Sequence, residues 1–135
     1  MNEERSLLSL WGMKKILVIE DDELVRDSVS LSLESAGYDV MEAATCQEGL
    51  QNDKHVGVAA IISDVVSLEN EGGELLRRFC LQSPDIPLIT LMGTLSYADK
   101  TSAKSQTAMP MSPYKLHKPF TLDELLATVQ GALAR

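Results

Sequence analysis

Basic residues are in deficit in this chain: 12 lysines and arginines against 20 aspartates and glutamates leave a formal charge of -8 over 135 residues. A surface that tracks a phosphate backbone needs the opposite balance, which makes nucleic acid a poor partner. Cysteine is scarce as well. Cys46 and Cys80 are too few for a disulfide framework and lack metal-ligand spacing, so they read as two reduced packing thiols. No apolar run approaches the ~20 residues that span a bilayer. The opening Met1-Asn2-Glu3-Glu4-Arg5 holds more acid than base, and the apolar patch from Leu7 to Trp11 is too short for a signal peptide. The expectation is a cytoplasmic protein with no membrane span.

With 44% hydrophobic residues, the chain has the size and core of one domain. Strand and helix patterns alternate along it. A strand over about Lys14 to Ile19 precedes a helix from Asp22 to Ala36, whose apolar stripe is Leu24, Val25, Val29, Leu31 and Leu33, closed by Gly37. Tyr38 to Ala43 reads as a strand, and the capping-box spacing Thr45-Cys46-Gln47-Glu48 starts a second helix through about Asp53. Val58 to Ser63 is a near-continuous apolar run, the pattern of a strand buried on both faces. A helix over Glu74 to Gln82, a strand over Leu88 to Leu91 and a weak helix over Ser96 to Ala108 follow. Tyr114 to His117 makes a fifth strand. A second capping box, Thr121-Leu122-Asp123-Glu124, leads a helix carrying Leu122, Leu125, Leu126, Val129 and Leu133. Five such units predict an α/β fold, a doubly wound five-stranded parallel sheet with flanking helices.

Charge gathers where these strands end. Asp64 follows the third apolar run, and Glu20, Asp21 and Asp22 follow the first. An ionised carboxylate at the tip of a buried strand needs a cation or donor beside it. Lys118, next to Pro119-Phe120 after the fifth strand, supplies one. In a doubly wound sheet the ligand site lies beyond the carboxyl ends of the strands, where strand order reverses, and Glu20, Asp21, Asp64 and Lys118 would all sit there. Asp22 itself suits a helix start, favouring the positive end of the dipole.

The motifs Ile16-Leu17-Val18-Ile19-Glu20-Asp21-Asp22, Ile61-Ile62-Ser63-Asp64, Gly72-Gly73-Glu74-Leu75-Leu76 and Lys118-Pro119-Phe120-Thr121 occur in this order. Together they resemble the receiver (CheY-like) domain of two-component response regulators. The resemblance covers roughly Lys14 to Ala134, leaving residues 1–13 as an N-terminal extension and 14–135 as the receiver domain. It implies a flavodoxin-like fold in which Asp64 accepts a phosphoryl group from a histidine kinase or a histidine phosphotransfer protein. Mg2+ would be held by Asp21 directly, by Glu20 through water, by Asp64 and by the Val66 backbone carbonyl. Lys118 would contact the phosphoryl group. Hard oxygen donors suit Mg2+, and transfer through a loose transition state needs alignment and charge neutralisation more than covalent help. The phosphoryl group would then bias a two-state equilibrium.

Several positions depart from that pattern. Where the family carries Thr or Ser at the end of the fourth strand, this chain has Met92, whose thioether cannot donate a hydrogen bond. Thr94 and Ser96 stand nearby as alternative hydroxyls. The aromatic switch position is Lys115, with Tyr114 one place earlier and so on the other face of the strand. A long Met92 to Lys118 spacing, together with Pro110 and Pro113, predicts a remodelled fourth helix, and Leu68 replaces a common proline in the acidic stretch Ser67-Leu68-Glu69-Asn70-Glu71.

Blander readings stand beside these. His117 has no second ligand at suitable spacing and reads as a strand-end residue, and His55 as a loop residue. Met92, Met109 and Met111 suit either packing or an adaptable partner face. Leu7, Leu8, Leu10 and Trp11 would dock on a partner or on a second copy of the chain as a homodimer, or else form a mobile tail. The resulting expectation is a single-domain response regulator, Mg2+-dependent, with atypical switch residues and a downstream protein partner. The rival is a degenerate receiver that docks on its partner without phosphorylation. A phosphatase built on an aspartyl phosphate would place a second acid two residues after its nucleophile, where this chain has Val66, so the chain is not expected to be an enzyme beyond slow self-dephosphorylation.

Overall fold

A computed structural model describes residues 13–51, 54–65, 72–93 and 112–134. Elements are numbered among these residues: β1 Lys15–Ile19, α1 Glu23–Ser35, β2 Asp39–Ala43, α2 Cys46–Gln51, β3 Val58–Asp64, α3 Gly73–Gln82, β4 Leu88–Met92, β5 Tyr114–His117 and α4 Leu122–Leu133. All five strands run parallel in the order β2-β1-β3-β4-β5. The expected architecture is therefore present. The expected helix over Ser96 to Ala108, Val66, the acidic stretch 67–71, Thr94 and the extension 1–12 lie outside the described residues.

Two apolar layers sandwich the sheet. Alternation along each strand sends Ile16, Val18, Ile62, Ile89, Leu91 and Leu116 to one face, where Val29 and Leu33 of α1 meet Leu125, Val129 and Ala132 of α4. Leu17, Ile19, Ile61 and Leu88 face the other way, against Cys46 of α2 and Leu76 of α3. Each fully buried aliphatic side chain contributes roughly 1.5–3 kcal/mol, so these two layers supply the main stabilising term.

The helix boundaries follow local chemistry. Asp22 caps α1, its Oδ1 accepting from Leu24 N at 3.0 Å and Val25 N at 3.3 Å. The helix ends at Gly37, whose φ of 98° is open to glycine at little cost. There Gly37 N donates to Glu34 O and Tyr38 N to Leu33 O, closing the last carbonyls. At α4 the capping box is complete: Thr121 Oγ1 accepts from Glu124 N, and Glu124 Oε1 accepts from Thr121 N. At α2 it is displaced by one residue. Thr45 Oγ1 accepts from Glu48 N as expected, but the Glu48 carboxylate takes Ala44 N, at 2.6 Å, and not the N–H of Thr45.

The apolar stripe expected on α1 needs correction. Leu24 is 80% exposed and Leu31 65% exposed, whereas Ser30 is buried beside Val29 and Leu33. At 100° per residue, Leu24 and Leu31 share one angular position nearly opposite the buried sector. Leucine content widened the apparent stripe, and the sheet accepts only its narrower side. Leu122 in α4 is exposed for a different reason: it shares the angular position of buried Val129 but stands at the first turn of the helix.

Candidate functional site

The β1–β3 register brings the acids together. Ile19 pairs with Ser63, so Glu20 and Asp64 leave the sheet side by side at its carboxyl edge. β1 connects onward to β2 on one side while β3 lies on the other, so this edge is the point where strand order reverses. Glu20 is 1% exposed and Asp64 3% exposed, while Asp21, two residues past the strand, is open to solvent. One carboxylate oxygen from each of Glu20, Asp21 and Asp64 lies within 4.8 Å of the others.

Three like charges at that separation repel strongly unless a proton or cation is shared. Hydrogen bonding to the Glu20 side chain, and after it to that of Asp64, holds the Asp21 carboxyl below its ordinary 3.8; the Lys118 charge acts in the same direction and burial opposes. Lys118 supplies the cation directly. Its Nζ lies 2.6 Å from Glu20 Oε1. The lysine backbone is fixed at the same time, Lys118 N donating to Met92 O at 2.8 Å, and the Lys118–Pro119 peptide is cis.

A hard-oxygen donor set of three carboxylates suits a small divalent cation such as Mg2+, which is commonly held by a few carboxylates and retained waters. Glu20, Asp21 and Asp64 would hold it. The Val66 carbonyl expected as a further ligand is outside the described residues.

Behind Asp64 the sheet carries buried polar groups. Ser63 Oγ donates to Asp64 O at 3.1 Å. Cys46 is hydrogen-bonded to Ser63, and burial pushes its thiol up to about 11 against that bond. Gly72, preceding α3, seats closely on the start of α2: a Cβ there would stand 2.5 Å from Gln47 N and 2.8 Å from Cys46 Cβ. Glycine is required at Gly72 by this close approach, since its φ of -69° is open to any residue.

The remaining expected positions are distributed differently. Met92 ends β4 half-buried, opposite His117, beside the backbone anchor of Lys118. Tyr114 packs against the α1–α4 layer, and Lys115 is exposed on the opposite face, so the ring and the cation do point apart as strand alternation requires. His117 is exposed at the strand end; His55 stacks edge-on against Phe79 at 5.5 Å, away from the acids. The sequence reading passed over Arg26. It lies one helical turn after the acids, and its Nη1 donates to Glu20 O at 2.8 Å. A cation one turn into the helix behind an acid-tipped strand was the available signal.

A parallel sheet with an acid triad and a lysine at its switch point defines a class of signalling domain, and comparison with known proteins places the chain within it. Residues 16–130 match the response regulator receiver domain. The chain belongs to that family. It is 36% identical over 128 residues to the sensor kinase CckA of Brucella abortus, covering 93% of this chain and 13% of that one. It is 31% identical over 121 residues to the response regulator MprA of Mycolicibacterium vanbaalenii, covering 90% of this chain and 51% of that one. The chain thus spans about half or less of these relatives. Among solved structures, the chemotaxis response regulator CheY4 of Vibrio cholerae superposes with a TM-score of 0.71 at 30% identity, over 90% of this chain and all of that one. A response regulator from Chloroflexus aurantiacus gives 0.75 at 28%, over 92% of this chain and all of that one. Receiver domains act in two-component signalling, where they interact with histidine kinases and bind Mg2+ at an acidic pocket. No helix among the described residues is long and apolar enough to cross a membrane.

Proposed function

We propose that this chain is a phosphorylatable receiver, with residues 14–135 as the receiver unit, and that Asp64 accepts a phosphoryl group from a histidine kinase or histidine phosphotransfer protein. The observation that carries this reading is the convergence of Glu20, Asp21 and Asp64 within 4.8 Å, with the Lys118 ammonium 2.6 Å from one of them. An Asp64 oxygen would attack phosphorus while the bond to the donor's imidazole nitrogen breaks, the electron pair leaving with the imidazole. Mg2+ bound in the pocket would neutralise charge on the phosphoryl oxygens. Lys118 would exchange Glu20 for a phosphoryl oxygen. The buried surroundings of Asp64 limit water, slowing loss of the acyl phosphate. Met92 gives the end of β4 no hydroxyl with which to read the modification, which supports an altered conformational response.

The reading is tested by intact mass after incubation with acetyl phosphate and Mg2+, alongside Asp64→Ala and a metal-free control. A single phosphoryl adduct that needs both Asp64 and Mg2+ is expected. A folded protein that gains no adduct would instead favour docking without phosphorylation, the reading that Met92 also supports.

A further inference from the structure

We infer that Arg26 is a positioning residue for the acid pocket, holding the peptide between Glu20 and Asp21 so that both carboxylates face Asp64. The inference rests on the receiver reading above. Arg26 leaves α1 one turn after its cap, and its side chain is 18% exposed, folded back over the β1–α1 junction. Nη1 donates to Glu20 O at 2.8 Å, and Nε lies 4.0 Å from Glu42 Oε2 on β2.

That carbonyl belongs to the first residue past β1. On its amide side, Glu20 N donates to Ala43 O at 3.0 Å. The peptide plane is rigid, so fixing the Glu20 carbonyl also fixes the amide of Asp21 and the direction in which the Asp21 side chain departs. Asp21 is exposed, and apart from the hydrogen bonding of its carboxyl to Glu20 and Asp64 its orientation depends on this main chain. Downstream, Asp22 is tied by its own N–H to Glu20 Oε2 at 3.2 Å and by its cap bonds. Arg26 therefore supplies the remaining main-chain restraint between the sheet and the helix.

Arg26 also brings positive charge near a cation site, an effect of opposite sign. Field repulsion alone would make removal of Arg26 tighten Mg2+ binding, whereas positioning makes removal weaken it. Glu42 sits against the guanidinium and offsets part of its field, while Nη1 is engaged by the Glu20 main-chain carbonyl. Positioning is therefore the larger effect. Outer residues that orient metal ligands change affinity by about 10–100-fold when removed.

The test is calorimetric titration of Mg2+ into the full chain and into Arg26→Ala and Arg26→Lys, beside the Mg2+ dependence of phosphorylation by acetyl phosphate. Arg26→Ala should weaken Mg2+ binding on the order of 10-fold, and Arg26→Lys, which keeps a donor, should recover to within about 3-fold of the parent. The half-saturating Mg2+ concentration should rise while the limiting phosphorylation rate holds. Unchanged or tighter binding in Arg26→Ala would overturn the inference. If Arg26→Ala does not fold, Arg26→Gln replaces it and is judged by the same outcomes. A parent chain that binds no Mg2+ would overturn the receiver reading itself, and the parent titration separates that failure from this one.

Discussion

Lys118 Nζ and Glu20 Oε1 meet at 2.6 Å, joining the turn after β5 to the end of β1 across the mouth of the acid pocket. The carboxylate is 1% exposed and the lysine side chain 24% exposed, so the pair is shielded on one side only. Removing one member of a fully buried pair costs several kcal/mol. Partial exposure of the lysine and the Asp22 N–H bond to Glu20 reduce that here. Lys118→Met, which keeps the aliphatic stem, should lower stability by about 1–3 kcal/mol. Saturating Mg2+ should then raise the urea midpoint of the variant more than that of the parent, because the added cation relieves a larger uncompensated charge. Equal shifts in the two proteins would contradict this.

Two glycines should respond to alanine with opposite sign. Gly72→Ala drives a Cβ to 2.5 Å from a backbone nitrogen that cannot step aside, and overpacking of this kind costs about 1–3 kcal/mol. Gly131 lies in α4 with nothing within 4 Å of a new Cβ, so Gly131→Ala should stabilise by about 0.5–1 kcal/mol through helix propensity. Thermal melts of the two variants, set against the parent, measure both.

The leucines of α1 should separate just as clearly. Leu31→Gln touches a residue 65% exposed and should change stability within about 0.5 kcal/mol, whereas Leu33→Ala empties a site at 0% exposure and should cost about 2–5 kcal/mol. Similar losses for both would place the buried face of the helix elsewhere.

Cys46 imposes an alkaline limit. Its thiol is raised from 9.0 to about 11, so the folded state holds its proton where the unfolded state has released it. Stability from this group is complete below pH 9, falls as pH rises through the folded value, and amounts to roughly 2–3 kcal/mol in total. The unfolding free energy of Cys46→Ala, followed from about pH 8 to 11, should therefore decline less steeply than that of the parent. Parallel declines would show that another group governs the alkaline loss.

Much of this arrangement could be read from residue order. Continuous apolar runs marked β1 and β3 because parallel strands covered on both faces tolerate little polarity, and the acids at their ends marked the pocket. Glu20, Asp21, Asp64 and Lys118 carried their own signal, being charged residues placed where burial is expected. Arg26 carried a weaker one, its place one turn into the helix behind an acid-tipped strand, which does not say which carbonyl the guanidinium reaches. The face of α1 was misjudged because Leu24 and Leu31 are as apolar as Leu33, and only the width of the sheet surface decides which are covered. Glu48 at α2 shows the same limit at finer scale. Thr45-to-Glu48 spacing fixes that a cap forms, while the approach of β2 decides which N–H the carboxylate takes.

The anchoring of Lys118 has a kinetic consequence. Its main chain is hydrogen-bonded to Met92 and followed at once by the capped start of α4, so the base of the side chain is fixed while the ammonium rests on Glu20. Were Asp64 to carry a phosphoryl group as proposed, transfer of that ammonium to it would call for rotation about side-chain bonds, a motion of picoseconds to nanoseconds where a side chain is partly open to solvent. Charge compensation in the pocket would then be a swing of one arm on a rigid hinge post, fast enough to follow the proposed chemistry without delaying it.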